Sequence, residues 1–178
     1  MVAVVTQLMT PSPWISTMLT KYAPRTGQAI DLACGSGRHT ELLRGRGLSV
    51  LAVDHNPERA VLADWDGVQF QCLDLEHEIW PLTDVFADVV LVSNYLYRPR
   101  LAEVFALVRP GGILIYETFG VGNEAYGRPA RAEFLLADGE LAEVAPSDCV
   151  LLEASFGLVE NPKPAIRARA CFQRRSCD

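Results

Sequence analysis

A glycine turn followed by evenly spaced acids and an amide carries the chemistry this sequence can do. The stretch "AIDLACGSGRHT" (29–40) places Gly35 and Gly37 four and six residues after Asp31. Glycine there lets the backbone turn tightly and approach a ligand without interference from a Cβ. A helix beginning at Arg38 would aim free N–H groups at the same place. Asp54, Asp74 and Asn94 follow at intervals of 20 residues, and Glu117 closes the series. A carboxylate at Asp54 suits both hydroxyls of a ribose. One at Asp74 suits the exocyclic amine of an adenine, with the backbone of Leu75 beside the ring. Each residue alone also reads as an ordinary strand end or helix cap, so the ordered series is the signal.

Positioning such a series needs strands that end in register. Apolar, β-rich stretches fall at 27–33, 48–54, 67–74, 87–94 and 113–118. Helical segments separate several of them: 38–47, then 56–64 with Asn56 as cap and Pro57 in the first turn, then 99–112 ending in Pro-Gly-Gly. This alternation predicts an α/β fold, a doubly wound and mostly parallel sheet with helices on both faces. Ligands of such sheets bind in the crevice outside the carboxyl ends of the strands. Beyond 118 the rhythm changes. A polar loop over 119–137 reads as a substrate loop, 138–146 as a short helix, and 149–158 with 165–173 as an antiparallel hairpin completing seven strands. In the last strand Ile166, Ala168, Ala170 and Phe172 alternate with Arg167 and Arg169, which predicts a half-exposed strand with its arginines in solvent. A helix-like segment over 11–23 precedes the sheet, and residues 1–178 are expected to form a single domain.

Composition narrows the function classes. Hydrophobic residues make up 49% and charged residues 21%, the balance of an ordinary folded protein. A net charge of −6 argues against a broad nucleic-acid surface. No basic residue precedes Lys21 and no long apolar window occurs, so neither a signal peptide nor a membrane span is expected. Five cysteines without paired spacing point to reduced thiols and a cytoplasmic protein. His55, Cys72 and His77 sit in separate stretches and predict no metal site, Cys72 being expected to point into the packing of the sheet. Cys34 is expected to be a small buried filler.

A dinucleotide turn requires G-x-G-x-x-G, and its third position here is Thr40. The turn resembles instead the acidic-x-Gly-x-Gly-x-Gly motif of class I S-adenosylmethionine-dependent methyltransferases, with Ala33 in place of the first glycine. The resemblance continues through "LAVDHN", "QCLDLE", "ADVVLVSNYLYRP" and "LVRPGGILIYETF", and covers residues 12 to 119. "NYLYRP" and "RPARAEFLLADGEL" are similar to the compact tellurite-resistance-type branch. The resemblance implies a Rossmann-like fold, S-adenosylmethionine as methyl donor and S-adenosylhomocysteine as product. It implies that Asp31, Ala33, Gly35 and Gly37 line the amino-acid part of the cofactor. Asp54 would hold the ribose, Asp74 and Leu75 the adenine, and Asn94 would lie near the methionine amine or the methyl group. Arg38 either meets the cofactor carboxylate or faces solvent, and His55 either covers the adenosine or lies on the surface.

Methyl transfer is an in-line displacement that needs alignment more than acid–base help. A general base is required only for a protonated, weakly acidic nucleophile. Tyr95, Tyr97 and Arg128 are the candidates for a catalytic role, with Tyr126, Arg131 and Glu117 nearby, and Tyr97 with Arg98 as possible holders of a small anionic acceptor. Asn94-Tyr95-Leu96-Tyr97 lacks the Pro-Pro-aromatic pattern of enzymes that methylate base or amide nitrogens. A small-molecule acceptor is therefore expected, among them a thiol, a metalloid oxyanion or a carboxylate. Two other functions remain open on the sequence: a cofactor-binding regulatory protein without transfer, and an NAD(P)-dependent oxidoreductase.

Overall fold

The computed structural model describes residues 10–176. The expected absence of an amino-terminal signal falls largely on residues 1–9, outside this range, as does Cys177. Among the described residues no helix is long and apolar enough to cross a membrane.

Seven strands form one sheet: β1 (Gln28–Leu32), β2 (Ser49–Asp54), β3 (Val68–Cys72), β4 (Ala87–Ser93), β5 (Val108–Phe119), β6 (Cys149–Val159) and β7 (Ala165–Arg174). Their order is β3-β2-β1-β4-β5-β7-β6, so the direction of winding reverses between β1 and β4. The first five strands are parallel, and β7 runs antiparallel between β5 and β6. That is the Rossmann-like, doubly wound architecture with an antiparallel end that the alternation predicts.

Apolar side chains alternate to opposite faces of the sheet, and each face has its own core. Ile30, Leu32, Val90, Leu114, Tyr116 and Phe172 pack on the face of α3 (Leu101–Ala106). On the other face, Ile113 and Ile115 meet Ile15, Met18 and Leu19 of α1 (Pro13–Tyr22) and Leu43 of α2 (Arg38–Gly45). β4 is buried on both faces, which is why it reads as a continuous branched apolar run.

Several segments differ from expectation. Residues Pro57–Asp64 wind as a 3-10 rather than an α-helix, although the Asn56 side chain caps them as expected, accepting from Glu58 N at 2.9 Å. The helix expected over 99–112 is only α3 after one 3-10 turn. The backbone N–H of Ala87 donates to Leu107 O at 2.9 Å, and Val108 pairs with Ala87, so the chain joins the sheet early. Pro110, Gly111 and Gly112 therefore form a bulge within β5, before Ile113 regains register opposite Val89. A Cβ on Gly112 would lie 2.9 Å from Asp88 O, so glycine is there for close approach rather than to stop a helix. β3 ends at Cys72, and Cys72 is exposed rather than packed into the sheet. The short helix α4 covers only Glu140–Val144.

The segment after β5 is more tightly tied than a surface loop. Leu136 N donates to Phe119 O at 2.9 Å and Val121 N to Leu136 O at 3.0 Å, while Leu135 and Leu136 are buried. Buried Asn123 bonds across it, donating to Pro129 O and accepting from Ile166 N.

Candidate functional site

The reversal between β1 and β4 opens a crevice at the carboxyl ends of the strands, and the glycine turn lies on its edge. The chain leaves β1 through three left-handed residues: Ala33 at φ 53°, Gly35 at φ 56° and Gly37 at φ 82°. For alanine that conformation costs about 1–2 kcal/mol, which the backbone bond from Cys34 N to Val53 O at 2.9 Å helps to hold in place. The two glycines do different things. A Cβ on Gly35 would meet no atom within 4 Å, so this residue presents open backbone to the crevice. One on Gly37 would lie 2.5 Å from Leu62 and 3.1 Å from Trp65. Glycine at 37 thus also leaves room for the neighbouring 3-10 segment to pack against the turn.

Around this turn the acids have defined partners. The Asp31 carboxylate is buried and accepts from the Thr40 hydroxyl at 2.7 Å. Burial pushes its pKa up to about 7 against the opposing pull of that hydrogen bond. Thr40, the position that excludes a dinucleotide motif, is therefore what fixes Asp31 to α2. Asp54 is buried at the end of β2. It accepts from Gly35 N through Oδ2 and from Asn56 N through Oδ1, each at 2.9 Å. An ionised carboxylate has about four lone-pair sites, so two remain. His55 beside it is exposed, with Nδ1 3.6 Å from Asp54 Oδ1. Asp74 lies two residues beyond β3, exposed and accepting from Glu76 N, while Leu75 is buried in the α3-side core. Tyr95 packs against that core with its hydroxyl sealed and unpartnered among the described residues. Burial, aided by Glu76 and Asp74, pushes its pKa up. The tyrosine therefore sits toward the Asp74 side of the crevice.

Across the reversal point stands a second group of polar side chains. Glu117, near the end of β5 and 3% exposed, accepts from Arg167 Nη2 at 2.9 Å, Arg169 Nε at 2.7 Å and the Ser12 hydroxyl at 2.9 Å. Arg167 Nη2 also donates to Asn94 Oδ1 at 2.7 Å, and its guanidinium lies over the Phe119 ring, 4.4 Å from the centroid. Asn94 is left-handed, at φ 58°, and its N–H donates to Glu117 O. His39 Nε2 accepts from Ser12 N at 3.1 Å. Arg38 reaches across the gap to the Ser93 hydroxyl at 3.2 Å and Thr10 O at 3.4 Å. Burial drives the Glu117 carboxyl up, but Arg167 and Arg169 outweigh it and hold the pKa below its ordinary value. Burial, with Arg38 nearby, lowers His39 to about 4, so its imidazole is neutral at pH 7.

The arginines of β7 are thus buried rather than solvated. Antiparallel register sets Arg169 opposite Glu117 and Arg167 opposite Phe119, so all of them face α1 together. The sequence held one usable sign of this. An acid at the end of a strand covered on both faces needs a buried counter-charge, and the alternating arginines of the last strand are candidates to supply it.

Tyr97 is half-buried, and Tyr126, Arg128 and Arg131 are exposed, Arg131 pairing with Glu133 at 2.7 Å. Arg98 is not free to hold an acceptor. It donates to both Glu140 oxygens at 2.6 and 2.9 Å and to the carbonyls of Glu133 and Leu135 at 3.0 and 2.7 Å. It therefore pins the 119–137 segment to α4. Arg98→Ala should speed hydrogen exchange at the Val121 and Leu136 amides while leaving cofactor affinity within about twofold. A large loss of affinity would return Arg98 to the ligand. Among the described residues no three His, Cys, Asp or Glu side chains converge as metal ligands. A cleft of about 450 Å³ between α1 and α2 includes none of the strand-end residues.

Comparison with known proteins agrees with this architecture. Residues 30–116 match the methyltransferase domain family. A malonyl-[acyl-carrier protein] O-methyltransferase of Serratia marcescens is 29% identical over 101 residues, 54% of this chain and 40% of that protein. The chain thus aligns with about two fifths of the curated relatives it matches. Among solved structures, the 1,6-didemethyltoxoflavin-N1-methyltransferase of Burkholderia thailandensis, with S-adenosylhomocysteine bound, superposes with a TM-score of 0.71. It is 21% identical, covering 92% of this chain and 78% of that one. A TehB-like SAM-dependent methyltransferase of Corynebacterium glutamicum gives a TM-score of 0.65 at 21% identity, covering 90% and 86%. At such identities these two structures establish the shared fold.

Proposed function

We propose that the chain is a class I methyltransferase that transfers a methyl group from S-adenosylmethionine to a small-molecule acceptor, a reading supported by the match of residues 30–116 to the methyltransferase domain family and by the shared fold. The observation that carries this reading is the pairing of an open Gly35 with a buried Asp54. The Gly35 N–H fixes one edge of the Asp54 carboxylate, and two lone-pair sites of that carboxylate remain for the two hydroxyls of a ribose. A Cβ at residue 35 would fill the space that a bound cofactor needs. Thr40 closes the turn against Asp31 where a pyrophosphate-binding turn would place glycine, which counts against NAD(P).

In this reading Asp54 holds the ribose. Asp74 and Leu75 bind the adenine, Leu75 from a buried position. Asp31, Ala33, Gly35 and Gly37 shape the wall for the amino-acid part, Gly37 also giving Leu62 and Trp65 room to pack. Asn94, at the end of β4, lies beside the reacting centre. S-adenosylmethionine, when bound, supplies a methyl group already activated on a sulfonium. The protein's own work is to align the acceptor with that methyl and to keep water out, and alignment alone is worth about 7–11 kcal/mol in favourable geometry. The match of residues 30–116 to methyltransferases supports the reaction class. The reading takes residues 1–178 as one domain and the protein as cytoplasmic.

Two measurements test it. S-adenosylhomocysteine should raise the melting temperature, by about 2.7 kcal/mol of stabilisation at a hundredfold excess over Kd, while NADH should not. Incubation with S-adenosylmethionine and thiols, oxyanions or carboxylates should release S-adenosylhomocysteine. Stabilisation by NADH alone would overturn the reading in favour of redox chemistry.

A further inference from the structure

Two guanidinium groups, of Arg167 and Arg169, pair with the single carboxylate of Glu117 at the ends of β5 and β7, and a third, of Arg38, reaches Ser93 at the end of β4. Asn94, Ser12 and neutral His39 complete the surround. The arginines are not fully used. Arg167 engages the protein through Nη2 and Arg169 through Nε. Nε and Nη1 of Arg167, and both Nη atoms of Arg169, have no hydrogen-bond partner among the described residues. The two side chains keep 10% and 14% exposure. The Asn94 bond and the Phe119 ring hold the Arg167 guanidinium in place. Buried positive charge with unused donors, next to the residue placed beside the reacting centre, is a site for an anion.

The same surroundings limit the nucleophile. Both oxygens of Glu117 are engaged by arginines, which hold its pKa down, so it does not take up a proton near neutrality. The acceptor nitrogen of His39 is engaged by Ser12 N, and burial keeps that imidazole from being protonated. Ser12 donates its own hydroxyl to Glu117. The acceptor must therefore arrive without a proton on its reacting atom. An alkyl amine at neutral pH is a cation and is repelled by the guanidinium groups of Arg167 and Arg169. A thiol, with an ordinary pKa of about 8.5, would need a base to ionise it. A carboxylate meets both conditions, and its planar pair of oxygens matches the fork of a guanidinium, as a pyramidal metalloid oxyanion does not.

We propose that the methyl acceptor is a carboxylate, bound and oriented by Arg167 with Arg169 beside it. This rests on the methyl-transfer reading above. One carboxylate oxygen is held by the free donors of Arg167, and the other forms the new O–CH3 bond as the S–CH3 bond breaks. The electron pair of the broken bond stays on sulfur, leaving a neutral thioether, and the acceptor becomes a methyl ester. No proton moves.

The test compares acetate, malonate, glutarate, benzoate and octanoate with their amides, and with an amine and a thiol of matching chain. Binding is followed by calorimetry on the S-adenosylhomocysteine complex, and turnover by S-adenosylhomocysteine release. At least one acid should bind more tightly than its amide and be methylated, with a kcat that does not rise between about pH 8 and 9, above the range in which Asp31 titrates, because no proton is removed from the acceptor. Arg167→Gln should raise KM for that acid by at least about tenfold, with Kd for S-adenosylhomocysteine within about twofold and Arg167→Lys in between. The acid–amide comparison and the pH profile need only the unmodified protein. They decide the matter even if Arg167→Gln fails to fold. The proposal is overturned if no acid binds more tightly than its amide. It is also overturned if an amine or thiol is methylated at a rate rising with pH, or if Arg167→Gln leaves KM unchanged. Failure to bind S-adenosylhomocysteine at all is a different result and would overturn the methyl-transfer reading itself.

Discussion

Glu117→Ala is expected to lose about 3–5 kcal/mol of folding stability, the usual cost of removing one member of a buried ion pair. The wild-type carboxylate neutralises Arg167 and Arg169 and accepts from Ser12 at the start of α1. Without it two guanidinium groups remain buried with no counter-charge. Glu117→Gln, which keeps the shape and one carbonyl acceptor, should lose less. Urea unfolding of the three proteins provides the measurement, and pH adds a second check. The folded pKa of Glu117 lies below its ordinary 4.5. Its contribution is therefore fully present above pH 4.5 and is lost as pH falls through the folded value, so the gap between wild type and Glu117→Ala should narrow in acid. An alanine variant as stable as wild type at pH 7 would mean that water already reaches the arginines.

Asp54→Ala is expected to raise the Kd for S-adenosylhomocysteine at least about a hundredfold. Two charge-assisted hydrogen bonds to the ribose hydroxyls are worth about 1.5 kcal/mol each at the low end. The substitution also frees Gly35 N, now bonded to Oδ2, and Asn56 N, bonded to Oδ1. Asp54→Asn keeps one acceptor oxygen and should fall between the two. Calorimetry measures this directly, and unchanged affinity would remove Asp54 from the ribose. Because Asp54 and Glu117 lie on opposite sides of the reversal between β1 and β4, the two substitutions separate cofactor binding from the polar cluster across the crevice.

Residues that act locally are legible in the amino-acid sequence. Asn56 caps the turn that follows it, Gly35 leaves backbone open, and β4 is buried on both faces. Each of these depends on its own neighbourhood in the chain. Boundaries that depend on tertiary pairing are not legible in this way. Pro110-Gly111-Gly112 has the composition of a helix stop, yet pairing of Val108 with Ala87 carries it into the sheet as a bulge. The Pro57–Asp64 segment shows an α-helical start signal and still tightens to 3-10 where Leu62 and Trp65 pack over Gly37.

By itself the sequence determined the doubly wound sheet, the glycine turn and the order of acids along the strand ends. Period-two apolar runs, helix caps and a positive-φ glycine are properties of short stretches of chain. Only the tertiary structure decided what stands opposite the cofactor wall. Arg167 and Arg169 are separated from Glu117 by 50 and 52 residues. Along β7 alone, they have the alternation of a solvent-facing strand. Once β7 is inserted between β5 and β6, no solvent-facing edge is left to that strand, and antiparallel register brings both arginines onto one carboxylate. The low dielectric of that interior then makes the pairing obligatory.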